Sequence, residues 1–111
     1  MSLTTAQRIA RDRTRLLAFP RPGRRAIVVG GGPVAARRAA ALTRAATPVT
    51  VFAPLLCDDV FDLLAERLVS WENRWPVAAD LEDAWLVLAA TGDPEIDARI
   101  CAWATALRLG A

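Results

Sequence analysis

The feature that most constrains this chain is a short apolar run that ends in glycines and leads directly into a helix-forming segment. Residues 26–30 (AIVVG) have the continuous apolar, β-branched character of a buried parallel strand. Gly31 and Gly32 end the run, and the fixed φ of Pro33 suits the first residue of a helix. Residues 33–46 (PVAARRAAALTRAA) are mostly alanine and arginine, which are strong helix formers. The sequence therefore predicts a strand, a tight turn and a helix in direct succession.

The same alternation continues along the rest of the chain. Further strands are predicted at residues 49–53, 69–71 and 85–90, further helices at 55–68 and from Pro94 onward, and one helical turn at 81–84. Strands that alternate with helices predict an α/β fold, here a Rossmann-like, doubly wound parallel sheet with right-handed crossovers. Because the chain ends where another strand is expected, we expect this sheet to lack its last strand or strands.

The spacing of apolar residues also predicts which side chains are buried. In the first helix, Val34 and Leu42 are expected to point inward. The last helix has one continuous apolar face, formed by Ile96, Ile100, Trp103 and Leu107. Of the tryptophans, Trp85 and Trp103 are predicted to lie in the core, whereas Trp71 and Trp75 flank a charged segment and either are partly buried or line a surface pocket.

Charge divides the chain into two parts. Residues 1–23 are predicted to form an arginine-rich helix (4–18) and an edge segment, and residues 24–111 the Rossmann domain, incomplete at its C-terminal end. Residues 1–25 carry seven arginines against one aspartate, although the net charge of the whole chain is only +2. A basic leader is typical of nucleic-acid binding, but this one has a single aromatic residue, Phe19, and no platform on which bases stack. We therefore favour a solvated helix or attraction to a polyanionic ligand, and predict no nucleic-acid partner.

Composition excludes several kinds of chemistry. The sequence has no histidine, which removes Ser-His and Cys-His nucleophile pairs and histidine-containing zinc sites. Cys57 and Cys101 are far apart in sequence and are predicted to be reduced, partly buried thiols, so no metal site is predicted. No segment approaches the roughly 20 apolar residues of a membrane span, and the start lacks the layout of a signal peptide. We expect a cytoplasmic protein without a membrane partner.

The glycine turn predicts a ligand. Six residues fit the pattern G-x-G-x-x-G/A between a strand and a helix: Gly30, Gly31, Gly32, Pro33, Val34 and Ala35. The first glycine permits the tight turn, the third position lets the backbone approach a pyrophosphate, and the alanine lets helix and strand pack closely. The N–H groups at the helix start would face the phosphates. This context favours an NAD-like dinucleotide, although a glycine turn with no ligand is the structural alternative.

The end of the second predicted strand does not identify the cofactor. NAD sites usually carry an acidic residue about 20 residues after the glycines. Here Ala53 and Pro54 occupy that place, with Asp58 and Asp59 slightly later and no arginine for a 2′-phosphate. Ala53 and Pro54 are predicted to contact the cofactor, but the sequence does not choose between NAD and NADP.

The fourth predicted strand ends in Thr91, Gly92 and Asp93. This exit lies at the carboxyl edge of the sheet, where ligands bind in such folds, so all three residues are predicted to contact the cofactor. Thr91 or Asp93 also fits the role of a helix N-cap, and the two roles are compatible. We expect Gly31, Ala53 and Thr91 to form one ligand-binding edge.

The residues also resemble a known family. Residues 28–38 (VVGGGPVAARR) resemble the start of the N-terminal domain of siroheme synthases, the precorrin-2 dehydrogenase and sirohydrochlorin ferrochelatase family. Residues 49–54 (VTVFAP), 81–91 (LEDAWLVLAAT) and 16–25 are similar to further segments of that domain in the same order. The resemblance extends from about Leu16 to the end of the chain.

The resemblance implies a function. Members oxidise precorrin-2 to sirohydrochlorin with NAD, and some then insert ferrous iron; many are fused to a methyltransferase and the full-length proteins are homodimers. By this resemblance Gly30, Gly32, Val34 and Ala35 would bind pyrophosphate, and Thr91 and Gly92 would lie by the ribose and nicotinamide. The substrate is rich in carboxylates, which would give the arginine-rich leader a role.

Two departures limit what is carried over. Asp97 stands where many relatives have asparagine, and the sequence gives it no role. The key aspartate of the family lies in an N-V-V-D strand after the last helix, and this chain ends at Leu109-Gly110-Ala111 before such a strand. We therefore expect a truncated or shortened member that supplies cofactor binding, is inactive by itself and has no assignable catalytic residue.

Two alternatives remain from the sequence. One is a non-catalytic, nucleotide-sensing Rossmann module, although such modules usually have an acidic residue where this chain has Ala53. The other is a purely structural Rossmann domain, which would bind no dinucleotide.

Overall fold

The computed structural model describes residues 24–107, so the predicted N-terminal helix and edge segment lie outside the described residues. The strands are β1 (Arg25–Val29), β2 (Val49–Phe52), β3 (Ser70–Glu72) and β4 (Ala84–Ala89). The helices are α1 (Pro33–Arg44), α2 (Asp58–Ala65) and α3 (Pro94–Ala106), with a short 3-10 turn at Ala78–Leu81. The helices of the described part are all too short or too polar for a transmembrane span.

All four strands are parallel, in the order β3-β2-β1-β4. β1 lies in the interior of the sheet, and residues 26–29 are completely buried, which explains their continuous apolar character. Val28 faces a core beneath α1 and α2, whereas Ile27 and Val29 face a second core beneath α3. The predicted α/β class and doubly wound parallel sheet are confirmed.

Helix α1 lies close to the sheet because its inner face is almost entirely alanine. Ala35, Ala36 and Ala39 are buried, and Leu42 fills the space near the end of the helix. The prediction that Val34 points inward is wrong, since its exposed fraction is 44%. Val34 belongs to the first turn of α1, beyond the end of β1, where it lines a cleft.

The predicted helix at 55–68 is shorter at both ends. After β2 the chain first crosses the glycine turn, and the N–H of Cys57 donates a hydrogen bond of 2.7 Å to the carbonyl of Gly31. At the other end Arg67 has φ of 59°, a left-handed conformation that terminates a helix. Leu68 therefore lies outside the helix and is exposed, contrary to the predicted apolar spacing.

The predicted helical turn at 81–84 occurs earlier, at Ala78–Leu81. A carboxylate oxygen of Asp80 accepts the N–H of Val77 at 2.7 Å and fixes the turn at that point. This placement depends on a local hydrogen bond that apolar spacing does not reveal.

The apolar face of α3 is mostly as predicted. Ile100 is buried and Ile96 and Trp103 are partly buried against the same core, but Leu107 follows the helix and is exposed. Trp85 is buried as predicted, and its indole N–H donates to the Thr47 hydroxyl at 3.0 Å.

Both cysteines, Cys57 and Cys101, are free and partly buried, as predicted. Burial, with a smaller contribution from the nearby Asp97 carboxylate, raises the pKa of the Cys101 thiol. The thiol form of Cys101 is therefore favoured.

Replacing Ala46 with glycine should stabilise the domain. Ala46 follows α1 with φ of 56°, a conformation that costs an L-residue about 1–2 kcal/mol. Allowing for the greater unfolded-state entropy of glycine, Ala46→Gly should raise the free energy of unfolding by about 0.5–1 kcal/mol. Thermal unfolding measures the change, expected as an increase in Tm of about 2–8 °C.

The matched control is Ala45→Gly. Ala45 has φ of −85°, which alanine adopts without strain, so this variant should be less stable than the wild type. Equal effects of the two variants would show that the left-handed conformation at Ala46 carries no strain.

Candidate functional site

Two adjoining pockets lie at the carboxyl edge of the sheet and meet at Gly32 and Thr91. The β2-side pocket, of about 370 Å³, is also lined by Gly31, Pro54, Leu55, Cys57 and Trp75. The β4-side pocket, of about 350 Å³, is also lined by Pro33, Val34, Ala90, Gly92 and Asp97. Each has the size of a small-molecule site, and together they form a cleft across the ends of β2, β1 and β4.

A side chain would meet different surroundings at each of the three glycines of the turn. Gly30 has φ of +135°, and a Cβ there would overlap the carbonyl of Ala90 after β4. A Cβ on Gly31 would overlap the carbonyl of Leu55 after β2. By contrast, a Cβ on Gly32 would meet nothing within 4 Å. Packing therefore requires the first two glycines, whereas the third leaves open space at the junction of the two pockets.

The helix that begins at this open space has no side-chain cap. Gly32 is the N-cap of α1, so the first-turn N–H groups lack a side-chain acceptor, and the turn contains no acidic residue. At α3, by contrast, the Asp93 carboxylate accepts the N–H groups of Glu95 at 2.9 Å and Ile96 at 3.4 Å. The predicted capping role of Asp93 is confirmed, and the start of α1 stays open to an anion.

Asp97 fixes the loop that forms the β4 side of the cleft. One oxygen of its carboxylate accepts both the N–H of Thr91, at 3.1 Å, and the Thr91 hydroxyl, at 2.6 Å. The Thr91 hydroxyl oxygen in turn accepts the N–H of Asp93 at 3.1 Å. Sequence reasoning assigned no role to Asp97, because its partner is set by the fold. The amide oxygen of an asparagine could accept the same two bonds.

Ala53 and Pro54, at the end of β2, take different positions relative to the cleft. Ala53 is 1% exposed, its N–H donates to the backbone carbonyl of Glu72, and its own carbonyl accepts the indole N–H of Trp71 at 2.8 Å. It therefore lies beneath the cleft and close to Gly31, while the next residue, Pro54, lines the pocket. The structure brings Gly31, Ala53 and Thr91 to one edge, as the sequence predicts.

The β2-side pocket is electrically neutral. Among residues 24–107, no side chain that lines it is charged. Asp58 and Asp59 are exposed in the first turn of α2 and line neither pocket. Among the described residues, therefore, this pocket has no acidic side chain for a ribose hydroxyl and no basic side chain for a 2′-phosphate.

Comparison with known proteins identifies the family. The family model NAD_binding_7, described as "Putative NAD(P)-binding", matches residues 17–110. The chain belongs to this NAD(P)-binding family. The match covers the strand, the glycine turn and both pockets of the cleft.

Individual relatives agree with this assignment. A siroheme synthase of Nitrosospira multiformis is 42% identical over 78% of this chain, and the siroheme biosynthesis protein met8 of Schizosaccharomyces pombe is 34% identical over 77%. The solved structure of SirC, a precorrin-2 dehydrogenase, matches 71% of the chain with a TM-score of 0.66 and 25% identity. The resemblance to the N-terminal domain of siroheme synthases is confirmed.

This NAD(P)-binding chain matches only part of each relative. The alignment spans 19% of the Nitrosospira protein, 33% of the Schizosaccharomyces protein and 40% of the SirC chain. The activities named for those proteins therefore belong to much longer polypeptides.

Asp97→Ala should release the Thr91 loop. Removing the carboxylate leaves the N–H of Thr91 without its acceptor, so amide hydrogen exchange at Thr91 should become at least about tenfold faster. Asp97→Asn keeps an acceptor oxygen and should retain most of the protection. Unchanged exchange at Thr91 in Asp97→Ala would contradict this role of the carboxylate.

Proposed function

We propose that this chain binds the pyrophosphate of NAD at Gly32 and the start of α1, as the cofactor domain of a siroheme-biosynthesis dehydrogenase. One observation carries the proposal: Gly32 has open space in place of a side chain, next to an uncapped helix N-terminus. Phosphate oxygens need N–H donors and a positive electrostatic potential, and the start of a helix supplies both.

The residues present fit a dinucleotide. The pyrophosphate would lie at the junction of the two pockets, and the two nucleoside halves would extend to either side. The residues proposed to form the site, either by contact with the ligand or by packing beneath it, are the predicted set: Gly30, Gly31, Gly32, Pro33, Val34, Ala35, Ala53, Pro54, Thr91, Gly92 and Asp93. Gly30, Gly31, Ala35 and Ala53 act through packing of the backbone beneath the ligand, and Thr91 and Gly92 face the nicotinamide half.

The proposed substrate is a carboxylate-rich tetrapyrrole, precorrin-2. Support comes from the siroheme synthase relatives and from SirC, whose name gives precorrin-2 dehydrogenation. When bound, NAD would accept a hydride. The described residues would bind and orient the NAD and hold the Thr91 loop beside the cofactor. The arginines of residues 1–25 are proposed to attract the acidic substrate. We assign no role in iron insertion to residues 24–107, in which no three Cys, Asp or Glu side chains are grouped to hold a metal ion.

Gly32→Val should abolish binding of NAD(H) without unfolding the domain. The new side chain would project into the pyrophosphate site, but its Cβ meets no other atom and Gly32 has φ of −92°, which valine adopts. Isothermal calorimetry should show an affinity at least about 100-fold weaker, while circular dichroism shows a folded domain.

Ala102→Val is the matched control, since Ala102 is exposed on α3 and lines neither pocket. It adds a β-branched side chain to an alanine position outside the cleft and should bind NAD as the wild type does. Equal affinity of wild type and Gly32→Val would show that the glycine turn is not the phosphate site.

The polypeptide of residues 1–111 should show little or no precorrin-2 dehydrogenase turnover by itself. Among the described residues, Asp97 is the one carboxylate that lines either pocket, and it is hydrogen-bonded to Thr91, while Asp93 caps α3. An anaerobic assay with precorrin-2 and NAD, followed by sirohydrochlorin absorbance, measures turnover, with SirC as positive control. Turnover comparable to that of SirC would mean that a catalytic group lies within residues 1–111, and Asp93 would be the first residue to replace.

A further inference from the structure

Trp75 presents an aromatic face to the β2-side pocket. Its side chain lines that pocket, and the residue is 39% exposed although the next residue, Pro76, is buried. A large planar side chain at the wall of a cleft is well placed to contact a ligand, because covering it removes apolar surface from water.

The backbone that carries Trp75 is fixed on both sides. The Arg74 guanidinium donates to both carboxylate oxygens of Asp80, at 2.8 and 2.9 Å, and lies over the ring of Phe52, 5.2 Å from its centre. Asp80 also accepts the N–H of Val77. The hydrogen bonds from Arg74 lower the pKa of Asp80 to about 2, so this arrangement is ionised and intact at neutral pH. The backbone on both sides of Trp75 is therefore held in place before any ligand binds.

The other described tryptophans are committed to the fold. The indole N–H of Trp71 donates to Ala53 and its ring packs edge-on against Phe61, while Trp85 donates to Thr47 and Trp103 packs on the α3 core. The indole N–H of Trp75 has no such acceptor within residues 24–107. Trp75 is thus the one exposed tryptophan among residues 24–107.

We infer that the indole of Trp75 stacks on the adenine ring of the bound dinucleotide. The inference rests on the proposed function, which puts the pyrophosphate at Gly32. In this fold the residue at the end of the second strand contacts the adenosine ribose, so the side of the cleft beside Pro54 and Trp75 takes the adenosine half. An uncharged pocket with an aromatic wall suits the face of a purine, since stacking needs a π-surface and no charge.

The test compares Trp75→Ala and Trp75→Phe using ADP-ribose, which contains the adenosine and pyrophosphate but no nicotinamide. Trp75→Ala should weaken ADP-ribose binding by about 5- to 100-fold, the range for loss of one base–aromatic stack, and Trp75→Phe should lose much less. Leu68→Ala is the control, because Leu68 is exposed to a similar extent, 43%, outside the cleft. Circular dichroism establishes that each variant is folded. If Trp75→Ala does not fold, the loss of fluorescence quenching in Trp75→Phe decides the question.

A second readout is intrinsic fluorescence. ADP-ribose should quench part of the wild-type tryptophan emission, and Trp75→Phe should remove that quenching. If the wild type binds NAD but the Trp75 variants bind ADP-ribose with wild-type affinity, the stacking inference is wrong and the proposed function stands. If the wild type binds neither NAD nor ADP-ribose, the proposed function is itself wrong.

Discussion

The structure depends on how closely three chain segments approach one another where β1 leaves the sheet. Gly30 lies against the carbonyl of Ala90, and Gly31 lies against the carbonyl of Leu55, so a side chain at either glycine would collide with backbone. The hydrogen bond from Cys57 to Gly31 holds the segment after β2 across the turn. These contacts bring the segments after β2 and β4 close to the end of β1, and α1 begins between them at Gly32, where space remains open. The cleft is a direct result of this packing.

The same edge contains two helix starts with different chemistry. Helix α3 is capped by Asp93, whereas α1 begins at Gly32 with no side chain to satisfy its N–H groups. A capped start is already satisfied and has little affinity for an anion, because the cap supplies both the acceptor and the negative charge. A phosphate group of a ligand therefore binds more favourably at the uncapped start, where free N–H groups can donate to it. The capping therefore distinguishes two otherwise similar helix starts and makes the start of α1 the more favourable place for the proposed pyrophosphate.

The local part of the fold could be predicted from the sequence. Residues 26–29 are buried on both faces of a parallel sheet, so they must be continuously apolar, and the turn after them must be glycine. Both requirements are visible in adjacent residues. The alanine face of α1 is local as well, which is why the strand, the turn, the helix and the family resemblance were all confirmed.

The parts that sequence reasoning missed depend on contacts between distant or differently positioned residues. The start of α2 is delayed by the bond from Cys57 to Gly31, which apolar spacing cannot reveal. Val34 is exposed because α1 begins beyond the end of β1. The spacing of apolar residues within a helix does not show where that helix begins relative to the sheet. Asp97 acquires its role only when the fold brings it to Thr91. A cleft therefore lies at the sheet edge where the sequence predicts a ligand site, but residues such as Asp97 that hold its walls in place were not predicted.

The most direct test of this account is an NMR titration of the ¹⁵N-labelled chain with ADP-ribose. If the pyrophosphate binds at Gly32, the largest amide shift changes should fall on Gly31, Gly32, Val34 and Ala35, which lie around the proposed phosphate site, and on Thr91 at the junction of the two pockets. Saturable binding that shifts amides elsewhere and leaves these five unchanged would contradict the account, because the ligand would then bind away from the glycine turn.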